Sequence, residues 1–139
     1  MREKLLGLLE EGYTCALAKG EKILTSTQRG VAPLLDWLQG GEDCQGGVAA
    51  DKVVGKAAAY LYVLLGVASV HAKTISRAAE KVFQRFNLPY TYKERVEAIR
   101  NRTGDGFCPM ERAVWEIEDP QEAYQAILQT RKLLQEKKQ

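Results

Sequence analysis

The chain has one histidine, His71, and three cysteines, Cys15, Cys44 and Cys108, among its 139 residues. No two of these thiols are close enough in sequence to make a zinc knuckle. An odd cysteine count without an export signal predicts free thiols in a reducing compartment. An excess of charge of one sign is also missing. Lys and Arg total 20 against 18 Asp and Glu, a net charge of +2, so there is no bulk electrostatic case for nucleic acid as a partner. The pair Lys137-Lys138 reads as a solvated helix end. No apolar run is long enough for a membrane span: the stretch Ala57 to Val70 is interrupted by Tyr60, Tyr62, Gly66 and Ser69, with Lys52 and Lys56 just upstream. The first residues, MREKLLGLLEEG, mix acids with leucines and offer no small-residue cleavage site. They read as an amphipathic helix rather than a signal peptide, which predicts a cytoplasmic protein with no membrane partner. Internal repeats, heptads and low-complexity segments are absent.

Hydrophobic residues make up 45% of the chain, enough for a buried core in one domain covering residues 1–139. Residues 2–11 predict a helix closed by Gly12. Tyr13 to Ala18 and Lys22 to Ser26, joined at Lys19-Gly20, predict an antiparallel hairpin. A helix is expected over Val31 to Gln39, with Pro33 in its first turn. GVAADKVVGKAAAYLYVLLG, ending at Gly66, reads as one buried helix, apolar nearly all round. Val67 to Ala72 predicts a strand, then a helix started by Thr74 or Ser76 and running to Phe86, then a strand over Tyr90 to Ile99. Two helices complete the chain, one from Pro109 to Ile117 and one capped by Asp119 with Pro120 at its first position. A hairpin followed by alternating helices and strands predicts an α/β protein, a three-layer α/β/α sandwich with a mixed sheet.

The most informative stretch is NRTGDGFCPME, residues 101 to 111. A cysteine directly before a helix-opening proline lies in the positive field of the first turn, where thiolates are stabilised and anions bind. Cys108 is therefore either a nucleophile or redox thiol, or a small buried space-filler. Glu111, at the third helical position, predicts a capping box with Cys108 in the cap place, and its charge opposes a thiolate. Asn101 and Arg102 either offer donors to a phosphate or serve the glycine turn and solvent. Earlier in the chain, Asp51 predicts a helix N-cap. Lys52 and Lys56, one turn apart on the predicted helix, are either a solvated stripe or a charge offered to phosphate or carboxylate. His71 alternates with apolar residues in a strand. It is either a satisfied structural residue or a base for Cys108.

The strings AADKVVGKAAA and NRTGDGFCPME, with the element order, resemble a small uncharacterised prokaryotic domain family assigned to the cytidine-deaminase-like fold. The resemblance covers about Tyr13 to Leu128. It implies a cleft where two helix starts converge, bringing Asp51, Lys52, Cys108, Asn101 and Arg102 together. The deaminase zinc motifs are not matched. Ala50-Asp51-Lys52 stands where a His or Cys and a Glu would be, and Cys108-Pro109-Met110-Glu111 supplies one cysteine instead of two. A catalytic zinc needs three protein ligands. The expectation is no metal and no cofactor.

Two functions follow. One is a small-ligand-binding domain that takes a nucleotide-like or other anionic molecule through the helix starts, with Asp51, Lys52, Asn101, Arg102 and Glu111 at the site. The other is a metal-independent enzyme with Cys108 as nucleophile or redox thiol. A structural module that forms a homo-oligomer is a third use of such a fold.

Overall fold

The computed structural model describes residues 1–100, 106 and 108–137. Its frame is a mixed five-stranded sheet. β1 (Cys15–Lys19) and β2 (Lys22–Ser26) form the expected hairpin, with Cys15 opposite Ser26 and Lys19 opposite Lys22. β1 also pairs antiparallel with β3 (Val48–Val54), which runs parallel to β4 (Ser69–Ser76), itself parallel to β5 (Tyr90–Val96). The order is β2-β1-β3-β4-β5.

β3 corrects the sequence reading. VAADKVV is a strand, and the helix α3 (Lys56–Leu65) begins only after Gly55. The cause is burial on both faces at Ala49, Ala50 and Asp51. A strand inside a sheet reads as a continuous apolar run, and periodicity alone does not separate it from a buried helix. Ala49 and Ala50 are fully buried on opposite sides, each small enough to let a helix close on the sheet.

Helices cover both faces unequally. α1 (Arg2–Glu10) sets Leu5 and Leu9 on Ala16, Ala18 and Ala50, a small core of its own. The other face carries α2 (Ala32–Gln39), α3, α4 (Arg77–Arg85), α5 (Pro109–Val114) and α6 (Pro120–Lys137). They build the main core over Cys15, Leu17, Ala49 and Val70 with Leu34, Tyr62, Phe83, Val114 and Ile127. α3 is the hub, packing against α2, α4, α5 and α6. Two predicted caps are present. Ser76 Oγ accepts from the Ala79 amide at 3.1 Å, and Asp119 Oδ2 accepts from the Glu122 amide at 2.9 Å. None of the described helices is long and apolar enough to cross a membrane.

α3 ends at Gly66, whose φ of 74° is left-handed and whose amide bonds back to Tyr62 and Val63 carbonyls. Gly66→Ala should lower stability by about 1–2 kcal/mol, the cost of placing an L side chain in that region, measured by urea unfolding.

Candidate functional site

The head of α3 is closed by a side chain from far along the chain. Glu111 Oε1 accepts the Lys56 amide at 2.7 Å and Oε2 accepts the Ala57 amide at 2.8 Å. The carboxylate thus occupies the anion position that a helix N-terminus creates. Gly55 makes room for it: a Cβ at position 55 would stand 2.5 Å from Glu111 Cδ. This corrects the expected capping box at Cys108. Cys108 is the N-cap residue of α5 without a side-chain cap bond, and Glu111 caps α3 instead. Burial raises the Glu111 pKa, and the two amides and the Lys56 charge oppose that rise.

Asp51 is not an N-cap. It lies in the middle of β3, paired with Cys15 and Ala72, and is 5% exposed. Its Oδ2 accepts from Tyr62 Oη at 2.7 Å and its Oδ1 from the Val53 amide at 3.3 Å. Tyr62 Oη also lies 3.2 Å from Cys15 Sγ. Burial pushes the Asp51 pKa from an ordinary 3.8 up to about 7, against the hydrogen bonds from Tyr62 and the backbone. Burial likewise pushes the Cys15 thiol and the Tyr62 phenol up.

The other predicted site residues do not gather in one place. Lys52 follows Asp51 on the strand and so points to the opposite face. There its charge, with those of Lys73 and Lys93, acts on Glu10 of α1. Lys52 and Lys56 therefore share no helix face. Cys108 is half-buried, with its amide bonded to the Ile99 carbonyl at 3.1 Å. His71 lies between Ser69 Oγ at 3.1 Å and Thr91 Oγ1 at 2.7 Å. Burial, then the charge of Arg2, lowers its pKa, and its described partners do not include Cys108. Asn101 and Arg102 lie outside the described residues.

A different constellation is assembled where the parallel strands end. Lys56 opens α3 after β3, Arg77 opens α4 after β4, and Glu97 follows β5. With Tyr60, Lys81, Arg85, Trp115 and Glu118 they line a groove of about 570 Å³. Arg77, Lys81 and Arg85 stand at four-residue intervals along α4, so their Cα atoms are about 6 Å apart along one face. Arg77 is paired with Glu97 at 2.6 Å, and Arg85 donates to the Glu118 carbonyl. Lys81 is exposed and has no ion-pair or hydrogen-bond partner among the described residues. Lys56 Nζ donates to the Trp115 carbonyl at 2.7 Å and sits 5.8 Å from the Tyr60 ring centre and 6.0 Å from that of Trp115. Burial, more than the nearby charge of Arg85, lowers the Lys56 pKa. Sequence reasoning missed this groove. Its one readable signal was the 77, 81, 85 spacing on a strongly amphipathic helix.

A zinc ion of the deaminase kind does not fit the residues at the two motifs. Glu111 gives both oxygens to the α3 amides, Asp51 is bonded inside the core, and among the described residues no three His, Cys, Asp or Glu side chains group to hold a metal.

Residues 4–130 match the family described as Domain of unknown function (DUF1893), and the chain belongs to that family. It is similar to the crystal structure of TM1506, a DUF1893 family protein from Thermotoga maritima. The identity is 27% and the TM-score 0.84, over 92% of this chain and 87% of that one. No curated protein matches the chain at a significant level.

Two outcomes follow from the buried carboxylates. Glu111→Ala should cost about 1–3 kcal/mol by leaving the α3 amides without their acceptor, read as a lower urea midpoint. The Asp51 pKa is higher folded than unfolded, so its contribution is complete below pH 3.8 and is lost as pH rises through about 7. Between those limits Asp51→Asn should flatten the decline of stability with pH relative to wild type, measured by urea unfolding at stepped pH. Parallel curves for the two proteins would show that Asp51 is already ionised in the fold.

Proposed function

We propose that this member of the DUF1893 family binds a small anionic molecule, nucleotide-like or otherwise, in the groove between α3 and α4. The observation that carries this is the row Arg77, Lys81, Arg85 facing Lys56, Tyr60 and Trp115 in one concave site. Four cations outnumber two carboxylates there, Glu97 and Glu118. Flat rings beside cations suit a ligand with an unsaturated part and a phosphate or carboxylate. Position supports the same reading, because ligands of open α/β sheets bind outside the carboxyl ends of the parallel strands.

An opening hairpin, a strand and helix carrying the first motif, and a second motif opening a helix against them support a deaminase-type domain without its metal. The anion-binding role moves away from the motif residues in this reading. Lys52 faces α1, and the start of α3 is already filled by Glu111.

Thermal unfolding against inorganic pyrophosphate and a panel of nucleotides tests the proposal. A ligand at about 100 times its Kd stabilises by about 2.7 kcal/mol and should raise Tm visibly. Lys81→Ala and Arg77→Ala should each reduce the rise, and Lys52→Ala should leave it intact. A rise abolished by Lys52→Ala but not by Lys81→Ala would place the ligand elsewhere, and no rise with any of these anions would remove the proposal.

A further inference from the structure

The sheet face turned away from the groove carries a second basic feature. Asp51 is level with Ala72 and Val53 with Thr74, so Lys52 stands beside Lys73. Ala72 is level with Tyr92 and Thr74 with Glu94, so Lys73 stands beside Lys93. The three lysines form one row across β3, β4 and β5, with about 4.8 Å between strands and about 10 Å from end to end. Ala50, two residues before Lys52, packs with Leu5 and Leu9, so the row lies on the α1 side of the sheet. Among the described residues α1 is the one helix on that side, and it packs on β1 and β3. Lys52 and Lys73 are half-buried and Lys93 is exposed. Glu10, at the end of α1, pairs with Lys73. The amines of Lys52 and Lys93 have no ion pair or hydrogen bond among the described residues. Glu94 alternates to the other face, and Arg95 is turned to Glu80 of α4. Like charges level on neighbouring strands oppose folding, and Glu10 offsets this only in part. Edge protection does not explain the row, because β3 and β4 are interior strands.

We propose that the row Lys52, Lys73, Lys93 is a docking surface for a short acidic segment of another protein, a run of Asp or Glu laid across β3, β4 and β5 beside α1. Charge complementarity carries the choice of partner. Three ammoniums meet one carboxylate, which leaves two positive charges for an incoming chain. The length of the row, about 10 Å, is the reach of three extended residues. The neighbouring positions on this face, Ser69, His71 and Thr91, are polar and bonded to one another, so the surface does not suit an apolar partner. A polynucleotide fits less well. It is held by a wide basic field and many phosphate contacts, whereas the chain is only +2 overall and α1 borders this face with Glu3 and Glu10. The surface is independent of the groove, whose cations stand on the other side of the sheet.

Fluorescence anisotropy of a labelled hexaglutamate peptide, titrated with the full chain, tests this. Saturable binding is expected at about 0.01 M ionic strength, and weaker binding at about 0.15 M, where screening is stronger. The double variant Lys52→Gln, Lys93→Gln keeps the Lys73–Glu10 pair and should weaken binding roughly tenfold, the loss of two surface ion pairs. Its urea midpoint should equal or exceed that of the wild type, because neighbouring like charges have been removed; this also reports that the variant folds. Lys81→Ala, and pyrophosphate at matched ionic strength, should leave peptide binding intact. Unchanged binding in the double variant, or binding lost in Lys81→Ala instead, overturns the row as the site. No saturable binding at the lower ionic strength overturns the docking surface itself. An oligothymidylate of equal charge that binds as tightly through the same lysines overturns the acidic segment as partner in favour of nucleic acid.

Discussion

The carboxylate of Glu111 on the first amides of α3 is the contact on which the rest of the arrangement depends. α3 touches four other helices and lies over β3, so the placement of its first turn fixes much of the larger core. A helix start exposes unpaired N–H groups and a partial positive charge, and it must be satisfied by water, a ligand or a side chain. Here the chain satisfies it with its own anion, brought from 55 residues away. Two charge-assisted bonds tie α5 to α3, and Gly55 leaves the volume that the carboxylate fills.

That internal cap redirects where external chemistry can happen. An open helix start would draw anions to the backbone amides of α3, but with Glu111 present that position is taken. Positive charge accessible to solvent is found instead on the side chains of the neighbouring wall, Arg77, Lys81 and Arg85. Lys56 belongs to both systems. Its backbone amide is held by Glu111, and its amine extends into the groove. One residue thus joins the architectural contact to the surface that can meet a ligand.

Much of the fold was legible in the sequence. The hairpin, α1, α2, α4 with its Ser76 cap and α6 with its Asp119 cap followed from turn residues and caps, which act locally. β3 was not legible, because two-sided burial erased the alternation that marks a strand. That single error displaced two residues: Asp51 left its supposed cap for the middle of a strand, and Lys52 and Lys56 lost their common face. Glu111 was recognised as a capping residue but assigned to its own helix. Local spacing identifies a capping side chain, and only tertiary contact reveals which helix it caps. The groove was illegible for the same reason. Its walls come from α3, α4 and the segments after β5 and α5, which no local pattern brings together.

Residues of both strings also build the fold. ADKVVG supplies Asp51, which anchors Tyr62, and Gly55, which admits Glu111. CPME supplies Glu111 itself. Tyr60, two residues before Tyr62, donates to the Ile117 carbonyl at 2.6 Å, so α3 is held at its start by Glu111, on one side by Ile117 and on the sheet side by Asp51. Three polar anchors of different origin fix both the position of the helix and its rotation about its axis, which apolar packing alone leaves adjustable. Rotation decides which face Lys56 presents. The buried Asp51–Tyr62–Cys15 cluster is part of what points an amine and an aromatic ring into the groove.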